Sequence, residues 1–170
     1  MDNASDVKEL LAALSGTTKE IQQIAAPLNT EALNKIPFLD SWTPAQLMKH
    51  VALSITGVAH ALHVPGKPAN RAPDKKIEEL KTMFLDFSSK MKSPKEIDPG
   101  NGHFEKEQIT EELNASMALV LENRDGAVPD ELIEDTPFGE ITKLEVLHFI
   151  NYHTERHLHQ LKKIVAALRG

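Results

Sequence analysis

The chain has 170 residues, 41% hydrophobic and 26% charged, a size and balance that suit one globular domain over residues 1–170 and exclude wholesale disorder. A net charge of −6 argues against a broad nucleic-acid surface, and the absence of cysteine leaves only His, Asp and Glu to hold any metal. No apolar run approaches a membrane span, and MDNASDVKELLAAL lacks the basic start and apolar core of a signal peptide, so a cytoplasmic protein without a membrane partner is expected.

Residues 5–26 place Leu10, Leu11, Leu14, Ile21 and Ile24 at helical spacing before Pro27 and predict a first helix. Gly16 costs about 1 kcal/mol relative to Ala in a helix interior, so a kink or break is expected there. The following stretch reads as a packed loop, with a helical turn after Thr30 and with Phe38 and Leu39 as apolar anchors. Thr43 as N-cap, Pro44 at N1 and Gln46 at N3 then open a strong helix over 43–63, which Pro65 and Gly66 end. Its apolar face runs through Leu47, His50, Val51, Ser54, Val58 and Leu62, which turns His50 inward. Trp42 stands at N′, where a structural staple is the simplest use. His60 and His63 form a competing pair near the helix end and read as solvent-facing.

Residues 64–74 are a proline-rich surface connection. A shorter helix over 74–91 follows, with Ile77, Leu80, Phe84 and Phe87 as a core stripe and Met83 and Met91 as fillers. Pro94 through Gly102 break the chain again, and His103 receives no role. Helical spacing resumes over 104–124 through Ile109, Leu113, Met117, Val120 and Leu121. Residues 127–141 read as an acidic, solvated loop. No convincing alternating strand, glycine-rich phosphate loop, G-x-S-x-G elbow or H-E-x-x-H motif is present.

The chain is organised around its last helix, over 142–168. Thr142 and Glu145 make a capping box at its start. Val146, Ile150, His153, His157, Leu161 and Ile164 share one stripe, so two histidines one turn apart point into the core, a spacing that lets two ring nitrogens reach one metal ion. His148 and His159 lie on other faces. With eight histidines in the chain such a pair also arises by chance, so satisfied core histidines are the competing reading. If the helix over 43–63 packs on the last one, His50 meets His153 and His157 and completes a three-histidine site inside an all-α, antiparallel four-helix bundle with an additional shorter helix.

The segments W-T-P-A-Q-L-x-x-H-V at 42–51, T-P-F-G-x-I-T-K at 136–143 and F-I-N-Y-H-T-E-R-H-L-H-Q-L at 149–161 together resemble the DinB-like superfamily of helical-bundle metalloenzymes. The resemblance covers about residues 5–168 and implies a divalent metal, zinc or nickel foremost, on His50, His153 and His157. Relatives of that type include bacillithiol transferases and mycothiol-dependent maleylpyruvate isomerase, which implies a low-molecular-weight thiol as cofactor. Homodimers are also implied.

Three neutral imidazoles leave a metal's full charge uncompensated, which favours an anionic fourth ligand such as hydroxide or thiolate. The expected function is thiol-dependent S-transfer to a small-molecule substrate, ahead of metal-dependent hydrolysis. The alternative is a non-catalytic metal-binding or dimeric stress-response bundle. Tyr152, Glu155 and Gln160 are the neighbours from which support of the ligands is expected, with Glu155 better placed for a surface pair. Asn151 and Arg156 are candidate substrate contacts at the bundle mouth.

Overall fold

The computed structural model describes residues 3–170. Four long helices make the bundle: α1 (Asn3–Ala25), α3 (Pro44–His63), α5 (Lys106–Glu122) and α6 (Lys143–Arg169). A single turn, α2 (Thr30–Leu33), precedes α3, and the short α4 (Ile77–Leu85) lies against α6. The long helices form a ring in which α3 packs on α5 and α6, and α1 packs on α6 and α5.

Helix directions follow from the hydrogen bonds across the seams. Leu62 meets Lys143 while His50 meets His153, so α3 and α6 are antiparallel. Gln22 meets Asn114 and Ala26 meets Lys106, so α1 and α5 are antiparallel too. Within the other two pairs the chain runs the same way, because the long connection over 64–105 returns it to the starting end before α5 begins. That crossover carries α4 and a loop whose Ile97 carbonyl reaches His50 on α3.

The capping signals are realised as read. Thr43 and Gln46 form a full capping box with Pro44 at N1, and Thr142 and Glu145 form the second. Along α6, Val146, Ile150, Leu161 and Ile164 enter the core together with Leu47, Val51, Val58 and Leu62 of α3. α1 is continuous through Gly16, against the expected break. Gly16 faces outward, and burial of Leu11, Leu14 and Ile21 on either side outweighs its cost.

The expectation of no strands is overturned. β1 (Lys67–Pro68), β2 (Glu131–Thr136) and β3 (Gly139–Thr142) form a small antiparallel sheet in the order β1-β2-β3. Ile133 pairs with Ile141 and Thr136 with Gly139, with a register irregularity between them. The acidic sequence hid this hairpin because only Ile141 and Thr142 of its residues are buried, too few to produce an alternating pattern. Asp135 and Gly139, at φ 60° and 70°, turn the chain between the strands.

Smaller corrections follow the same logic of burial. Phe38 and Leu39 are exposed, Leu39 to 88%, and anchor nothing in the core. Asn29 rather than Thr30 caps α2, accepting from the Ala32 N–H. α4 ends at Leu85, which leaves Phe87 and Met91 exposed beyond it, and Met83 within α4 and Leu121 of α5 are exposed as well. Among the described residues no helix is long and apolar enough to cross a membrane.

Candidate metal centre

His50 sits in the second turn of α3, and His153 and His157 sit one turn apart at the middle of α6. Antiparallel packing brings them together across the seam. They are 2%, 5% and 7% exposed. One ring nitrogen of each lies within 4.8 Å of the other two, and the Nε2 atoms of His50 and His153 are 3.0 Å apart. Two imidazoles bound tetrahedrally at 2.0–2.1 Å from one zinc ion stand about 3.4 Å apart, so this spacing suits a shared ion.

The tautomers are set from outside the cluster. His50 Nδ1–H donates to the carbonyl of Ile97 at 2.8 Å, which leaves its Nε2 as a lone pair. Nδ1 of His157 donates to Gln160 Oε1 at 2.9 Å, with the same consequence for its Nε2. His153 Nδ1 has no hydrogen-bond partner among the described residues. Burial holds all three imidazoles neutral. It pulls His50 below its ordinary value against the opposing pull of Ile97 and Asp98, and holds His153 well below. For His157, burial and the neighbouring His50 bring the value down to about 3. Neutral imidazole is the form in which histidine binds a metal, and the bonds to Ile97 and Gln160 leave Nε2 of His50 and His157 unprotonated, so the cluster fits a divalent ion.

Aromatic rings surround the cluster. The Trp42 ring lies 4.7 Å from His50 and 6.0 Å from His157, so the sole tryptophan packs on the imidazoles. Phe149 and Phe84 stand 5.4 and 5.9 Å from His153. The cluster lines a cavity of about 1210 Å³ bounded by α3, α6, the hairpin and the loop after α4.

The remaining sequence candidates separate cleanly. Gln160 supports a cluster histidine, as expected. Tyr152 instead places its hydroxyl 3.3 Å from His148 Nδ1, and Glu155 is exposed. Asn151 does not reach the cavity: its amide donates to Leu10 and Leu147 carbonyls and ties α1 to α6. Arg156 lines the cavity, but its guanidinium is engaged with the carbonyls of Phe84, Asp86 and Ser89, holding the end of α4 against α6. His60 and His63 are exposed, and His103 lies at the surface 3.4 Å from Glu105.

Sequence reading missed the Ile97 carbonyl, which no side-chain pattern could announce. It also missed the aromatic wall.

A four-helix bundle with three inward histidines defines a class, and comparison with known sequences names it. The profile of the DinB superfamily matches residues 13–161, and the chain belongs to that family. It is similar to the uncharacterized protein YuaE of Bacillus subtilis (strain 168), at 27% identity over 146 residues that cover 81% of this chain and 85% of that protein. TT2238, described as a four-helix bundle protein, shares the fold with a TM-score of 0.60 at 19% identity, over 92% of this chain and 98% of its own.

Proposed function

We propose that this protein is a divalent-metal-dependent enzyme that binds zinc or nickel on His50, His153 and His157 and transfers a low-molecular-weight thiol to a small-molecule substrate. The observation that carries this reading is the open face of the cluster. Three neutral imidazoles stand at a cavity of about 1210 Å³, and no fourth histidine or carboxylate joins them among the described residues. A structural metal site is closed by its protein ligands, whereas a catalytic one keeps a position free.

When bound, the ion supplies Lewis-acid charge that lowers the pKa of a thiol or water in contact with it. The chain's own residues do the rest. Ile97 and Gln160 fix the orientation of two imidazoles, and Trp42, Phe84 and Phe149 exclude bulk water from their surroundings. The same reading makes the protein a one-domain cytoplasmic homodimer, and light scattering on the purified protein tests the dimer.

The test of function uses zinc- and nickel-loaded protein with cysteine plus an aryl chloride, and separately with p-nitrophenyl acetate. Thiol consumption that scales with metal loading and disappears in His153→Ala supports S-transfer. Ester cleavage alone makes the protein a hydrolase, and inactivity toward both, with metal bound, makes it a binding protein.

A further inference from the structure

The cavity continues past the histidines in two directions of opposite character. Toward the start of α3 it is bounded by the exposed lysines 90, 92 and 163 and by Gln160. Toward the hairpin it is bounded by Val58 and Ala61 of α3, Val146 of α6, and Ile133, Phe138 and Ile141, with the exposed Glu134 and Asp135 of β2 also in the lining. The histidines and the packed rings of Phe84, Phe138 and Phe149, with centroids 5.0–5.8 Å apart, stand between the two arms.

Gly57 lies in the wall of the apolar arm, in the interior of α3. A glycine there costs about 1 kcal/mol relative to alanine. A Cβ added at Gly57 meets nothing within 4 Å, so no neighbouring protein atom demands the missing side chain. Gly57 is exposed, so the cavity is open at this point of its wall. At 1.5 Å per residue, His50 to Ala61 spans roughly 16 Å along α3, and His153 to Val146 roughly 10 Å along α6. The arm ends at the buried Ile141, inside the fold.

From this geometry we infer that the apolar arm is a binding site for an unbranched alkyl or acyl chain of medium length, whose polar head lies at the histidine cluster. The inference rests on the proposed centre for the position of the head and extends it to the class of molecule bound. A linear chain matches a cleft with small residues on one helix face and isoleucine and phenylalanine on the hairpin opposite. A carboxylate at the far end would have to lose its water beside Ile133 and Ile141, where the acidic groups in the lining, Glu134 and Asp135, carry the same charge.

Binding of butyrate, hexanoate, octanoate and octanedioate to the metal-loaded protein tests this, by calorimetry and by the fluorescence of Trp42, the sole tryptophan. Affinity is expected to rise two- to fourfold per methylene from butyrate to octanoate, in line with transfer of a methylene out of water, and to fall at least tenfold for octanedioate. Gly57→Leu and Ala61→Phe, which fill the arm, are each expected to weaken octanoate at least tenfold while metal content stays at the wild-type value. If one variant fails to fold, the other still decides. Affinity independent of chain length, or unchanged octanoate binding in a folded variant, overturns the assignment. Loss of the proposed enzyme activity does not, because binding and metal content are measured without turnover.

Discussion

The two ends of the α3–α6 seam bury polar groups to opposite purposes. Where α6 begins, every buried charge finds its partners in the protein. Lys143, with its side chain 2% exposed, reaches Glu131 at 2.6 Å and the carbonyls of Leu62 and Gly126. A Cβ at Gly126 would collide with that Leu62 carbonyl, so the glycine permits the approach. Glu145 accepts two hydrogen bonds from Arg71, both at 2.7 Å, and others from the backbone of Lys76 and Thr142. Halfway along α6, by contrast, the histidines each keep a ring nitrogen turned toward the others. Satisfied groups hold the crossover and hairpin in place. The histidines form a cluster compatible with a metal ion.

Substitutions at the two ends should therefore separate function from stability. The largest effect is expected for His153→Ala, which removes a central ligand and should leave almost no bound metal while the helical circular-dichroism spectrum persists. At the other end, Glu131→Gln leaves the Lys143 ammonium buried without its counter-charge and should cost about 3 kcal/mol in urea unfolding, with metal content unchanged. Gln160→Leu releases the His157 ring and should weaken metal affinity about 10- to 100-fold, measured by competition with a chelator. Thr142→Ala removes the N-cap of α6 and its 2.6 Å bond to the Pro73 carbonyl, at a cost of about 1 kcal/mol.

Acid should act on the start of α6 in a predictable direction. Burial pushes the Glu145 carboxyl up, but hydrogen bonds from Arg71, Thr142 and Lys76 outweigh it and hold the group below its ordinary 4.5. Glu131 is held low by Lys143 and the Gly66 N–H. A depressed folded pKa contributes stability that is complete above the unfolded value and lost as pH falls through the folded one. Urea midpoints should thus be flat above about pH 5 and fall below pH 4.5, with a shallower fall in Glu145→Gln.

Much of the seam was legible because helices announce themselves through spacing and caps. Thr43 with Gln46, Thr142 with Glu145, and the stripes from Leu47 to Leu62 and from Val146 to Ile164 fixed two helices and the inward face of three histidines before any packing was known. The long-range partners were not legible. Glu145 reads locally as a capping residue, yet it also receives Arg71 from 74 positions away. Ile97 contributes to the centre only through its carbonyl, and the identity of a side chain says nothing of that. The hairpin stayed hidden because it lies over the cavity with one face in water. Phe38 and Leu39 were misplaced for a related reason, since hydrophobicity alone does not say whether a core lies within reach.

Metal content by plasma mass spectrometry, on untagged protein purified without chelator, tests the three-histidine centre most directly. About one equivalent of a divalent metal in wild type and in His60→Ala, with almost none in His153→Ala, is the predicted result. No metal in wild type after reconstitution with zinc or nickel, or equal loss in His60→Ala, would contradict it and leave the buried histidines as core residues.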